Sequence, residues 1–264
     1  MIHSSHRFDA PIWKVLPDHA NFNLAIELRD REHQSLKIAY LNLAGNRSPL
    51  FLTEEIDWWK GLQTVFQGKI LLHGYEDPGL PLQRGIYVYE GQKGRKLWGS
   101  DSLKFTSYTE NGIIAESKME LKLYDWKSGK EVMPASPQEI WDQMEKSQAA
   151  NLSFPQAFVD AHESFEELAE IIREKSGKAA EVQIDSIGFR EYQIYNFYNR
   201  NPDKSWSQFL GIKKDENWVF YRQTAKALKG LGLDPFFIFK NYLIWIEQQN
   251  TLAYLLLDES TGST

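Results

Sequence analysis

The first half of this chain reads as short strand-like runs punctuated by Gly and Asn turns. Alternation of apolar and polar positions is visible at Leu121 and Leu123 with Glu120 and Lys122, as a half-buried strand requires. Three strand pairs are predicted. They are Phe22–Arg29 with Leu36–Leu43, Lys69–Tyr75 with Gly85–Glu90, and Gly112–Ser117 with Glu120–Asp125. The texture then changes. Ser136-Pro137-Gln138-Glu139 has the form of a helix-capping box, followed by Ile140, Trp141 and Met144 on one helical face. A second helix is predicted from about His162 to Ser176, with Phe165, Leu168, Ala169 and Ile172 as its stripe and Gly177 as its stop. Strands are expected again at 181–185, 191–198, 218–221, 236–239, 243–247 and 251–257, with a helical turn or two at 223–230. No βαβα order occurs, which argues against a parallel sheet.

Turn chemistry recurs as well. Tyr89-Glu90 is followed by Gly94 and then Trp98; Tyr124-Asp125 is followed by Gly129 and Met133, and Leu41-Asn42 with Gly45 is a shortened relative. In each, a strand ends, an acidic or amide side chain caps the turn, and Gly supplies positive φ. Gly68 and Gly112 open similar apolar runs and lie 44 residues apart, while Gly94 and Gly129 lie 35 apart. These spacings bracket one four-stranded blade.

The Glu90, Gly94, Trp98 spacing resembles the tryptophan-docking motif of quinoprotein-type β-propellers. There the Trp rests on the neighbouring blade. Here Met133 stands where the second copy would have its Trp, and Lys93 and Ser128 replace the usual Thr. The resemblance covers residues 20–133, with an echo at 236–257. It implies a mainly β chain of about five antiparallel, propeller-like blades in a single domain, 1–264, with a helical insertion at about 137–176. The alternative is an α+β arrangement of antiparallel sheets. The segment His73-Gly74-Tyr75-Glu76-Asp77-Pro78, with Pro81, Gly85-Ile86-Tyr87-Val88-Tyr89 and the later Phe236-Phe237-Ile238, also resembles an uncharacterised family of bacterial domains of unknown function, which implies no activity.

Composition narrows the function classes. The chain has 264 residues, a net charge of −6 and no basic block, so a nucleic-acid partner is not expected. It has no cysteine, which removes disulfides, thiolate catalysis and Cys-based metal sites. The first residues lack the apolar core of a secretory signal, and the stretch Pro235–Leu257 carries Lys240 and Glu247, so a cytoplasmic location and no membrane partner are expected. Nine Trp residues suit packing between sheets. HExxH, GxSxG, calcium-loop and phosphate-loop patterns are absent from the sequence, and no cofactor or metal is expected.

The candidate binding residues are His73, Tyr75 and Asp77, on a polar loop following an apolar strand, and Glu27, Glu116 and Glu247, near comparable strand ends. If those ends converge, three carboxylates and an imidazole could hold a cation or a sugar. Turn hydrogen bonding and solvation account for the same residues without a ligand. The expected function is a non-catalytic module recognising a protein, peptide or glycan. The alternative is a hydrolase or lyase acting on a small or carbohydrate substrate through His73 and carboxylates. His3 and His6 are expected in a mobile terminus, and Asn196–Trp206 as a long hairpin loop.

Overall fold

The computed structural model describes residues 3–45, 47–75, 82–132, 152–177, 180–232 and 235–257. The chain is mainly β, with five antiparallel sheets and one described helix. It divides into two compact units, Phe8–Ala150 and the pair Met1–Arg7 with Asn151–Thr264.

The first unit holds three successive four-stranded meanders. The first comprises β2 (Ile12–Asp18), β3 (Asn23–Asp30), β4 (Ser35–Asn42) and β5 (Leu50–Phe51). The second comprises β6 (Gly61–Phe66), β7 (Lys69–Tyr75), β8 (Gln83–Glu90) and β9 (Arg95–Ser100). The third comprises β10 (Lys104–Thr109), β11 (Gly112–Ser117), β12 (Glu120–Tyr124) and β13 (Glu131–Val132). The three predicted pairs are the central hairpins of these sheets. The flanking strands lack clean alternation and were not anticipated.

The unbroken run Ile70-Leu71-Leu72 has a direct explanation. Ile70 and Leu72 pack with Ile38 and Tyr40 of the first sheet, whereas Leu71 packs with Ile113 and Ala115 of the third. Strand β7 is covered on both faces here, so Ile70, Leu71 and Leu72 are apolar at successive positions rather than at every second one.

Sheet-to-sheet seating uses the repeated turn. At both Glu90–Gly94 and Asp125–Gly129 the glycine N–H donates to the acidic residue's carbonyl, at 2.7 and 3.0 Å. Both glycines are left-handed, φ 67° and 65°. The Trp98 indole lies on Gly129, where an added β carbon would meet it at 2.5 Å, and its Nε1–H donates to the Trp126 carbonyl at 3.0 Å. One step earlier, Thr53 N–H donates to the Gly94 carbonyl at 2.9 Å. Gly129 and Gly94 are thus required for close approach as well as for backbone conformation.

In the second unit, β14 (Leu152–Ser153) pairs with β20 (Phe236–Phe239), followed by β21 (Tyr242–Glu247) and β22 (Thr251–Leu256). The N-terminal strand β1 (His3–Arg7) completes that sheet on β22, so His3 and His6 lie in a strand rather than a mobile terminus. The other sheet runs β15 (Gln156–Val159), β16 (Gln183–Phe189), β17 (Tyr192–Arg200), β18 (Trp206–Lys214) and β19 (Asn217–Leu228). Residues 223–228 therefore continue a strand instead of forming a helical turn. Pairing of Gln223 and Ala225 with Phe209 and Gln208 overrides the local helix preference of Ala-Lys-Ala-Leu. The expected 196–206 loop is likewise mostly ladder, with Arg200 paired to Trp206.

Helix α1 (Phe165–Ser176) buries Phe165, Ala169 and Ile172. Glu166 and Glu167 lie in its first turn, Arg173 and Lys175 in its last, as the helix dipole favours. Gly177 (φ 70°) closes it by donating to the Arg173 carbonyl. Strands β14 and β15 precede α1 within the span predicted as a helical insertion. Ser136–Glu139, Trp141 and Met144 lie outside the described residues. No helix among the described residues is long and apolar enough to cross a membrane.

Candidate functional site

Side chains two apart on a strand share a face. Glu27 and Arg29 of β3 do so, and Arg29 Nε donates to Glu27 Oε1 at 2.5 Å. Glu27 is buried, and its other oxygen accepts the Leu62 N–H at 2.6 Å, tying the first sheet to the second. Arg29 also donates to the carbonyls of Trp58 (2.9 Å) and Lys60 (2.6 Å). Lys14 Nζ reaches the Leu62 carbonyl at 2.9 Å. Every charge here is satisfied, as burial demands.

His73 belongs to the same place. It pairs with Gly61 at the start of β6, and its ring lies over that glycine, with Nε2 2.9 Å from where a β carbon would be. Tyr75 meets the ring edge-on, centroids 5.1 Å apart. His73 is only 4% exposed, yet neither ring nitrogen has a hydrogen-bond partner among the described residues. Burial first, then the charges of Lys14 and Arg29, lower its pKa to about 4. The imidazole is therefore neutral at pH 7, and it makes no hydrogen bond to Glu27.

Of the predicted residues, Glu27, His73 and Tyr75 thus come together around Gly61 and Leu62. Glu116 lies in the third sheet, beside Lys104 Nζ at 3.9 Å, and lines a shallow hollow with Phe105, Met119 and Leu121. Glu247 belongs to the other unit, where it accepts from Trp245 Nε1 at 3.0 Å and faces Arg222 at 3.2 Å. Asp77 lies outside the described residues. Among the described residues no group of three His, Asp or Glu is placed to hold a metal ion.

Two features were missed. Arg29, not among the candidate residues, is the organiser of the cluster; the Glu-x-Arg spacing within a strand was the available signal. Asp18, at the end of β2, is fully buried. Its carboxylate accepts the N–H groups of Gln67 (2.9 Å) and Gly68 (2.6 Å), which form the positive-φ turn between β6 and β7. It also accepts the Tyr40 hydroxyl at 3.3 Å. Nothing local in the sequence marks a partner 50 residues away.

Outward from Arg29 the surface is a ladder of cations and rings. Arg29 lies 4.9 Å from the Trp58 ring and 5.9 Å from that of Trp13; Arg31 also covers Trp13, at 5.2 Å. Lys60 and Lys96 flank Tyr87 at 4.0 and 5.3 Å. Trp13 is 57% exposed and Trp59 46%. Arg31, Lys60 and Lys96 make no ion pair among the described residues.

Fold and site together define a mainly β protein of antiparallel meanders, with a buried ionic clasp beneath an aromatic, cation-rich edge. Residues 18–98, which span Asp18, Glu27, Arg29, His73 and Trp98, match the family described as Domain of unknown function (DUF4905). The expected likeness to a family of unknown function is thereby found for this stretch, and it assigns no activity. No curated protein matches the chain.

Proposed function

We propose that the unit Phe8–Ala150 is a non-catalytic binding module whose aromatic and cationic edge takes an acidic stretch of polypeptide. The carrying observation is that Arg31, Lys60 and Lys96 sit against Trp13 and Tyr87 without an ion pair among the described residues, while the Tyr87 hydroxyl donates to Asp101 at 2.5 Å. Exposed Trp with Arg is the composition of protein-binding hot spots, and cations held on rings rather than in ion pairs steer an anionic partner. The hydrolase reading draws less support: Glu27 has both oxygens engaged and His73 lacks a proton-transfer partner, whereas acid–base catalysis needs such a pair. We read the three meanders as propeller-like blades, and the seating of Trp98 on Gly129 supports that reading.

The test is fluorescence anisotropy with Asp/Glu-rich, neutral and Lys-rich synthetic peptides. Acidic peptides should bind most tightly, weaken with salt, and lose about tenfold or more with Arg31→Glu or Trp13→Ala, about 1.4 kcal/mol per decade. Equal binding of acidic and neutral peptides would overturn the proposal.

A further inference from the structure

A second feature lies at the opposite end of β3. Six residues of strand, about 20 Å, separate Arg29 from Asn23. Asn23 lines a cleft of about 650 Å³ under the loop between β4 and β5, with Tyr40, Asn42, Arg47, Ser48 and Gln92. Gln92 comes from the β8–β9 turn of the second sheet, so two sheets build the walls.

The floor is a pair of side-chain hydrogen bonds. Asn42 Nδ2 donates to Asn23 Oδ1 at 2.6 Å. The Tyr40 phenol donates to Asp18 Oδ2 at 3.3 Å, and Asp18 also accepts the Gln67 and Gly68 amides. Because the Asn42 amide nitrogen is the donor to Asn23, its oxygen is left as an acceptor at the cleft. Gly45 keeps the loop close over this amide, since a β carbon there would come 3.0 Å from Asn42 Oδ1. The rim supplies donors. The side chains of Arg47, Ser48 and Gln92 make no hydrogen bond among the described residues. Leu50, 50% exposed, adds an apolar wall.

We propose that this cleft binds a carboxylated sugar, a hexuronate unit. The amides of Asn42 and Gln92 and the Ser48 hydroxyl match a ring of sugar hydroxyls, the Arg47 guanidinium matches one carboxylate, and the volume falls within the range of small-molecule sites. This inference uses none of the residues of the acidic-peptide edge and stands or falls separately from that reading.

Isothermal titration of the full chain with D-glucuronate and D-galacturonate, against D-glucose, D-galactose and acetate, tests it. Saturable uronate binding is expected, tighter than that of either parent hexose or acetate. Arg47→Ala should weaken uronate binding about tenfold or more while leaving hexose binding unchanged, because it removes only the carboxylate partner. Asn42→Ala should weaken both. Arg47 and Asn42 are exposed, so circular dichroism of both variants should match the wild type. Uronate no tighter than acetate or the parent hexose, uronate binding indifferent to Arg47→Ala, or no saturation would each overturn the assignment.

Discussion

Replacing His73 by leucine should remove a specific part of this protein's acid sensitivity. The unfolded imidazole titrates near 6.5, and the folded one near 4. Between these values the unfolded chain holds a proton that the native site refuses. Native stability is therefore full above pH 6.5 and declines as the pH falls through the window toward 4. At pH 5 the unfolded imidazole is mostly protonated and the folded one mostly neutral, a difference worth about 2 kcal/mol from this residue alone. The groups responsible face the ring: Lys14 and Arg29 repel a third positive charge, and burial excludes water. Leucine carries no proton and no unpaired nitrogen, so at pH 7.5 the variant should be within about 1 kcal/mol of wild type or more stable. The assay is urea unfolding of both proteins at pH 7.5 and pH 5. His3 and His6, whose pKa values are also lowered by burial, are present in both and cancel in the difference. Stability curves that run parallel with pH would refute the reasoning. So would a leucine variant destabilised by several kcal/mol at pH 7.5, since that requires partners for the ring nitrogens.

Two further outcomes test the joints between sheets. Asp18→Ala strips the acceptor from the Gln67 and Gly68 amides and the Tyr40 hydroxyl, and should cost about 3 kcal/mol in chemical denaturation; a loss under about 1 kcal/mol would mean that the turn is held by other contacts. Trp98→Ala removes a half-buried indole from Gly129 together with its bond to the Trp126 carbonyl, and should cost about 3 kcal/mol with a lower melting temperature; an unchanged melting curve would rule out a structural role for the seat.

What the sequence by itself determined is local. Apolar runs bounded by turn residues located the central hairpin of each meander in the first unit, because both the run and its punctuation are written in neighbouring residues. Acid-x-x-x-Gly marked the two turns with matching left-handed glycines, because that backbone conformation admits few residue types. The stripe and stop of α1 were legible for the same reason. Edge strands such as β5 and β13 were not, since two residues carry no period. Strand β19 was misread at its far end because pairing with β18, not intrinsic propensity, holds it extended. Among the candidate residues, Glu27 and His73 are 46 positions apart and meet only because Gly61 pairs with His73 while Leu62 donates to Glu27. Glu116 and Glu247, chosen on the same strand-end logic, went to other sheets. Which charges are buried together, and which are left uncompensated on the surface, is decided by how sheets stack. Only the tertiary structure supplies that, because burial energies depend on neighbours that are distant in the chain.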